Sequence, residues 1–316
     1  MIDLEAILDE HEPKIRVSFM HLIGSMRREV SEAELATLIE NGRTEEALAL
    51  VLRNAPNVYT ASGAAWLAAA NYTADQIGTD LGEVVINYDV TNQNAITAMQ
   101  RNRLDLVQGF TDTQKQTSRQ AIVAGIRAGD NPKKQARALI NSLGLTPNQE
   151  AAVRNYERAL RGASTDALRN KLRNAADDAA VRRAADLGEA LSDARIERMV
   201  NDYRTRMIAH RATTIARTEA LRSVHEGSDS MFAQAFADGT LQPDDVFQTW
   251  HTAKNERVRG SHRAMHRQQR PVGEPFMSGL GNLLMRPGDS SAPAADVINC
   301  RCRKTVQIRV RTSEDV

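Results

Sequence analysis

The chain has 316 residues, of which 26% are charged and 4% aromatic, and its formal net charge is +1. This length suits two domains or one large one, because single hydrophobic cores stop growing near about 250–300 residues. With so few aromatic residues, the core must come mostly from Ala, Leu, Ile and Val, which favours helices. The longest apolar run, AAWLAAA (64–70), is too short to cross a bilayer and the first residues lack a signal-peptide pattern, so we expect a protein made and kept in a cytoplasm.

Helix start and stop signals recur through the first 190 residues. Ser31 is placed to cap a helix that ends at Asn41 and Gly42, with Glu34 as the other half of a capping box. A helical hairpin is predicted over residues 130–162, with start signals at Asn131–Pro132 and Thr146–Pro147 and stop signals at Gly144 and Gly162. The extended segment predicted in this half is EVVINYDV, residues Glu83–Val90.

The texture of the sequence changes towards the C-terminus. Residues 163–191 are rich in Ala, Arg and Asp and predict an exposed helix or a connector, so we place a domain boundary at residue 190. Residues 193–227 carry apolar residues at helical spacing and predict one long helix or two in tandem, interrupted near the end by Gly227. Beyond Gly239, short strands alternate with Gly-, Pro- and Ser-rich loops. The predicted fold is mainly α, with a helical domain over 1–190 and a smaller, loop-rich α+β domain over 191–316.

Positive charge is concentrated near the C-terminal end. Residues 211–316 hold 15 Lys and Arg against 12 Asp and Glu, whereas residues 1–210 hold 26 against 28. The basic runs can contact nucleic-acid phosphates, and because no aromatic residue among them can stack on a base, such contacts would not depend on sequence. A solvated basic face is the alternative. The candidate DNA-facing residues are Arg257, Arg259, Arg263, Arg267, Arg270, Arg301, Arg303 and Lys304.

Cys300 and Cys302 are the only two cysteines. A reducing cytoplasm disfavours a disulfide between them. If residues 255–268 are helical, His262 and His266 share a helix face, and if residues 297–303 form a strand, the two cysteines point to the same side. These four residues then predict a closed, structural zinc site. The alternative is that the cysteines are small buried residues and the histidines are hydrogen-bonded or exposed.

The common catalytic signatures are absent from the sequence, including the phosphate-binding loop, the dinucleotide-binding glycines, His-Glu-x-x-His and Gly-x-Ser-x-Gly. Their absence disfavours an enzyme. Arg217 and Glu219 lie inside a predicted helix, in the segment ARTEAL. They are either an exposed polar pair, or Arg217 reaches across to hold backbone carbonyls of the loop-rich segment.

Four blocks occur in order: TIARTEALRSVHEG, WHTAKNERVRGSHRAMHRQ, VGEPF and MRPGDSSAPAADVINCRC. Together they resemble the head morphogenesis domain of the Mu F-like minor capsid proteins of tailed bacteriophages, over about Asp193–Ile308. The predicted hairpin also resembles the one that often precedes that domain. The family pattern falls on Arg217, Thr218, Glu219, Trp250, Arg259, His262, Phe276, Pro287, Gly288, Asn299, Cys300, Arg301 and Cys302. The chain departs from the pattern at His266 and Asn255, where such proteins more often carry acidic residues, so the four-ligand zinc site is a prediction for this chain alone.

The resemblance implies a low-copy structural protein of the phage head, without enzymatic activity, that acts at the portal vertex in head assembly and in DNA packaging or ejection. The implied partners are the portal protein, other capsid proteins and packaged double-stranded DNA, and the implied locations are the virion and, during assembly, the host cytoplasm. We expect residues 1–190 to dock on the portal. The alternative is a metal-dependent nuclease or other DNA-processing enzyme built on the His and Cys residues, which would need carboxylates beside an open metal position; the nearest acids in sequence are Glu256 and Asp296.

Overall fold

The computed structural model describes residues 1–82, 85–253, 255–256 and 258–309, apart from the side chain of residue 104. The fold is mainly α with a few antiparallel strands near the C-terminus, which confirms the predicted class. The helices are α1 (Glu5–Glu29), α2 (Glu32–Glu40), α3 (Thr44–Leu52), α4 (Thr60–Asp80), α5 (Gln93–Arg127), α6 (Pro132–Ser142), α7 (Pro147–Arg161), α8 (Asp178–Leu187), α9 (Asp193–Ala237), α10 (Gly260–Arg263) and α11 (Ala294–Val297). The strands are β1 (Ile2–Asp3), β2 (Val246–His251), β3 (Gln269–Pro271), β4 (Phe276–Met277), β5 (Leu283–Leu284) and β6 (Arg303–Ile308).

The predicted helix starts are confirmed in atomic detail. The Ser31 hydroxyl accepts a hydrogen bond from the backbone N–H of Glu34 at the start of α2. Asn131 caps α6 in the same way, with Pro132 in the first helical position. Thr146 and Gln149 form a complete capping box at α7, so the predicted helical hairpin is present. These side chains satisfy backbone N–H groups that have no partner within the helix.

The predicted strand over Glu83–Val90 is wrong where the structure describes it. Residues 85–89 form no strand, and residues 83 and 84 lie outside the described part. The side chain of Gln234 in α9 donates to the carbonyl of Asn87 and accepts from the N–H of Asp89. Backbone groups that a strand would pair with a neighbour are thus bonded to a side chain of α9.

Helix α9 is one continuous helix that extends past Gly227 to Ala237. Gly227 therefore does not interrupt it, contrary to the sequence prediction. Its missing side chain allows a close approach, because a Cβ at this position would lie 2.1 Å from the carbonyl oxygen of Trp66 in α4.

The chain divides into two compact units, each built from segments that are distant in sequence. The first comprises residues 1–18, 58–106 and 214–316, and the second comprises residues 19–57 and 107–213. The boundary at residue 190 stays a prediction about the sequence blocks.

The first unit contains an antiparallel sheet in the order β1-β6-β2-β3. Its main core brings Ile2 of β1 and Val306 of β6 together with Trp66 of α4 and Phe232 of α9, all of which are fully buried. A second, smaller cluster contains Leu221, Trp250, Met265, Phe276, Leu284, Cys300 and Cys302. The two cysteines therefore belong to this smaller hydrophobic cluster and not to the main core.

The second unit is helical. Phe19 and Phe110 meet edge to face at 5.7 Å, and the buried guanidinium of Arg211 lies over both rings. Arg27 donates to the carbonyls of Asn141 and Leu143, at the C-terminal end of α6. Cationic side chains thus stabilise both the aromatic pair and a helix C-terminus.

In the part of the chain that the structure describes, every helix is either too short or too polar to span a membrane.

Candidate metal centre

The position of His262 is determined by a short helix and by packing against aromatic side chains. It lies in α10, and its ring packs edge to face against Trp250 of β2 at 5.7 Å. Trp250 in turn packs against Phe276 of β4 at 5.2 Å. Both aromatic side chains are fully buried and only 1% of His262 is exposed, so the imidazole has one defined position.

Cys300 and Cys302 lie between α11 and β6, in a segment that is not a strand. The predicted strand over 297–303 is therefore wrong for the cysteines, and strand pairing begins only at Arg303, opposite His251. The chain turns at Asn299, which has φ +58. Asparagine adopts this left-handed conformation more readily than most residues. This turn takes both thiols into the interior, where they are 2% and 3% exposed.

The imidazole and the two thiols converge on one point. His262 Nδ1 lies 3.5 Å from Cys300 Sγ and 3.4 Å from Cys302 Sγ, and all three potential ligand atoms are within 4.8 Å of one another. Zinc bonds of about 2.05 Å to nitrogen and 2.3 Å to sulfur at tetrahedral angles require an N···S separation of about 3.6 Å. The three side chains therefore fit a zinc-sized ion with little adjustment.

The two thiols perturb each other's ionisation. The contact with Cys302, together with the one to His262, lowers the pKa of Cys300 although burial opposes this. The same contact with Cys300, reinforced by burial, raises the pKa of Cys302. Without a cation, the pair therefore favours one thiolate beside one thiol. A divalent metal ion would stabilise two thiolates here.

Asp296 lies on the other edge of the imidazole. Its Oδ1 is 3.5 Å from His262 Nε2, and the carboxylate accepts hydrogen bonds from Ser261 Oγ at 3.0 Å and Asn282 Nδ2 at 2.7 Å. Burial acts to raise the pKa of Asp296, but the hydrogen bonds from Asn282 and Ser261 lower it overall. Nε2 has no hydrogen-bond partner among the described residues, so Asp296 faces this edge of the ring as a nearby charge, while Nδ1 faces the two cysteines.

His266 is not part of this cluster. Helix α10 ends at Arg263, so His262 and His266 do not share a helix face as predicted. His266 Nδ1 instead accepts a hydrogen bond from the backbone N–H of Thr252 at 3.2 Å. Of the four predicted ligands, the structure brings together His262, Cys300 and Cys302.

A small cavity of about 80 Å³ adjoins the cluster. All three candidate ligands line it, and among the described residues that line it none carries a carboxylate. The other lining residues are Asn255, Val258, Arg259, Asn299 and Arg301.

Comparison with known families places this cluster in a recognised domain. Residues 178–305 match the family described as phage Mu protein F like protein. Over these residues the chain is similar to the phage Mu F-like family. The resemblance seen in the sequence is thereby confirmed, and the family suggests a role in phage head morphogenesis. No curated protein and no solved structure matches the chain significantly.

Within the Mu F-like domain, Arg217 and Thr218 of α9 hold the turn that precedes the cysteines. Arg217 donates to Asn299 Oδ1 at 2.6 Å and to Glu12 at 3.1 Å, and Thr218 Oγ1 accepts from the backbone N–H of Asn299 at 3.1 Å. Arg217 thus reaches the loop-rich segment through a side-chain oxygen, where the sequence had predicted backbone carbonyls. Glu219 is 6% exposed, close to Arg222, and its pKa is raised by burial.

Two further positions of the Mu F-like blocks are also explained by packing. Gly288 has φ +83, and a Cβ there would lie 2.9 Å from the backbone nitrogen of Arg222 in α9. Arg259 donates to the carbonyl of Ile298, just before the Asn299 turn. Gly288 thus allows its loop to pack closely against α9, and Arg259 holds the segment that contains Ile298.

The predicted DNA-facing residues separate into distinct environments. Lys304 is 1% exposed and hydrogen-bonded to Asp229 and Gln248, so its prediction is wrong: it is a core residue that cannot face DNA. Arg303 is paired with Asp3 and Glu5. Arg257 lies outside the described residues. The candidates that remain on the surface of the Mu F-like domain are the exposed Arg263, Arg267 and Arg301 and the partly exposed Arg259 and Arg270.

Sequence reasoning missed two buried features of the Mu F-like domain. Asp296 was noted only as the acid closest to Cys300, although an isolated acid in a segment that is otherwise apolar or basic is a signal for a buried partner. The second is the group around Lys304, in which Asp229 also binds Arg286 at 2.7 Å. Charged residues that are distant in sequence gave no such signal.

Proposed function

We propose that this protein is a minor capsid protein of a tailed bacteriophage, present in few copies and associated with the portal vertex, that aids head assembly and DNA packaging or ejection. The observation that carries this proposal is the Mu F-like match over residues 178–305. The proposed locations are the capsid interior or portal vertex and, during assembly, the host cytoplasm. Mass spectrometry of purified particles and assembly intermediates tests it. Absence of the protein from both would contradict the proposal.

We propose a structural role in preference to an enzymatic one. Hydrolysis at a metal centre needs a general base or acid beside the open coordination position. The described residues that line the cavity provide no carboxylate, and the nearby carboxylate of Asp296 is bonded to Ser261 and Asn282. Zinc-loaded protein should therefore leave both single- and double-stranded DNA intact. DNA cleavage that depends on Cys300 would favour the nuclease alternative.

For the portal contact we propose the helical part of residues 1–190. A groove of about 780 Å³ runs between α5 and α7 of the second unit. One of its lining residues, Val123, is 44% exposed, and Ile126 in the next turn of α5 is 62% exposed. Large apolar side chains beside a groove are suited to packing against a helix of a partner.

Deleting residues 1–190 would not test this contact, because Ile2 and Trp66 belong to the same core as Phe232 and Val306. The full chain with Val123→Glu and Ile126→Glu is the suitable variant. We expect it to fold and to lose co-purification with the portal protein. Leu187→Glu is the matched control, since Leu187 is 64% exposed on α8. Normal co-purification of the double variant would place the contact elsewhere.

We propose that His262, Cys300 and Cys302 bind one zinc ion, which stabilises the loop-rich part of the Mu F-like domain. The N···S distances of 3.4 and 3.5 Å support this ligand set. Elemental analysis of untagged protein should find one zinc per chain. Cys300→Ser should lose the metal, whereas His266→Ala and His266→Asp should retain it, because His266 is bonded to Thr252. Loss of zinc in the His266 variants would instead support the site with four protein ligands that the sequence predicts.

A further inference from the structure

The proposed zinc site has three ligands from this chain, and tetrahedral zinc takes four. All three ligand residues line the same cavity of about 80 Å³. The position that they leave free therefore opens onto that cavity. The residues that line the cavity indicate what the fourth ligand is.

The chain provides no strong ligand for this position among the described residues. His266 Nδ1 is bonded to Thr252, and Asp296 lies on the Nε2 edge of His262, opposite the edge that faces the cysteines. Asn299 Oδ1 accepts a short hydrogen bond from Arg217. The cavity offers no further imidazole, thiol or carboxylate in the part of the chain that the structure describes.

The charge around the cavity favours an anion. A zinc ion with two thiolates and a neutral imidazole has no net charge of its own, and two of the residues that line the cavity, Arg259 and Arg301, carry guanidinium groups. Guanidinium groups are never deprotonated near neutral pH and are suited to small anions. The volume is enough for about two or three water-sized groups, since a water occupies about 30 Å³.

We propose that the fourth metal ligand is a small anion taken from solvent and held beside Arg259 and Arg301. This inference rests on the proposed zinc site and replaces the closed site expected from sequence by one with an exchangeable position.

The test uses the full chain loaded with cobalt(II), whose absorption bands report coordination, and azide as the probe anion. We expect azide to shift the bands of the wild-type protein in a saturable way while cobalt stays bound. Arg301→Ala should weaken azide binding by about two- to fivefold, the effect of one exposed charge. Arg263→Ala is the matched control: Arg263 is exposed and is not among the residues that line the cavity. His266→Ala should leave the azide response unchanged.

The outcomes separate the two proposals. If the wild-type protein binds neither zinc nor cobalt, the metal site itself is wrong. If cobalt binds and Cys300→Ser abolishes the binding, but azide leaves the bands unchanged or removes the cobalt, the metal site stands and the exchangeable position is overturned. Equal azide affinity in wild type and Arg301→Ala would overturn the role of the arginines.

Discussion

The backbone of Gly227 in α9 packs directly against the backbone of Trp66 in α4, since a Cβ at residue 227 would lie 2.1 Å from the Trp66 carbonyl oxygen. Gly227→Ala should therefore separate the two helices at the centre of the first unit's core. Overpacking costs about 1–3 kcal/mol, and we expect the upper part of this range because a backbone atom cannot rotate away. Urea unfolding of the variant measures this loss of unfolding free energy.

Gly109→Ala is the control for this prediction. Gly109 also lies inside a helix, α5, but nothing lies within 4 Å of a Cβ placed there. Alanine is favoured over glycine in a helix by about 0.5–1 kcal/mol, so this variant should be as stable as wild type or slightly more stable. If both variants behave alike, the close approach at Gly227 has no energetic role.

Gly227 also illustrates what the sequence could and could not predict. Capping patterns at Ser31, Asn131 and Thr146 involve residues within three positions, and all three predicted N-caps were confirmed, although the complete capping box forms only at Thr146. A glycine needed for contact with a helix about 160 residues away has no local signal, so the sequence alone predicts an interruption of the helix there. Helix caps could therefore be predicted from neighbouring residues, whereas packing between helices that are distant in sequence could not.

The metal cluster divides in the same way. The cysteine pair and His262 stood out because of their residue types, and the structure brings them together. His266 was added by helical spacing, which failed because α10 ends at Arg263. The neighbours of Lys304 in sequence predict a basic surface, but its partner Asp229 and its place in a buried stretch of β6 hold it in the core. The burial of Lys304 thus depends on a contact with a segment distant in sequence, whereas the error at His266 depends on where a short helix ends.

Thr218→Val should loosen the turn that precedes the cysteines. The variant keeps the shape of Thr218 but removes the oxygen that accepts from the Asn299 N–H. Leaving that N–H without a partner costs about 1–3 kcal/mol, and misplacing the cysteines should weaken zinc affinity by about tenfold. Competition with a metal-binding dye measures the affinity.

Thr205→Val is the matched control, because Thr205 also lies in α9 and donates to the carbonyl four residues earlier, but it is exposed. We expect its zinc affinity to equal that of wild type. Equal zinc affinities in Thr218→Val and wild type would show that the tether does not position the ligands.

His225 should make the protein sensitive to mild acid. It is fully buried in α9, and neither ring nitrogen has a hydrogen-bond partner among the described residues. Burial, followed by the charges of Lys304 and Arg286, lowers its pKa well below the ordinary value of 6.5. The folded protein therefore keeps His225 neutral while the unfolded chain takes up a proton below about pH 6.5, so stability falls as the pH falls. From pH 7.5 to pH 5.0 this accounts for up to about 2 kcal/mol.

His225→Leu should remove this part of the pH dependence, and His21→Leu, at an exposed position of α1, should not. Urea unfolding at several pH values in this range gives the slope of stability against pH for each protein. A slope in His225→Leu as steep as that of wild type would contradict the prediction.

If the surface of the Mu F-like domain contacts DNA, we expect that binding to depend on Arg263 and Arg267. Both are exposed, and no ion pair involves them within the described part of the chain, whereas Arg303 is paired with Asp3 and Glu5. Each phosphate contact adds about 0.9 to the slope of log affinity against log salt concentration. Arg263→Ser with Arg267→Asn should therefore flatten the slope by about 1.8, and asparagine suits the φ of +67 at residue 267. Fluorescence anisotropy with two unrelated duplexes of equal length gives the slopes, which should not differ between the duplexes.

Arg28→Ser with Arg53→Ser, two exposed arginines in the second unit, is the control. An unchanged slope in the Arg263 and Arg267 variant would assign this surface to protein or solvent.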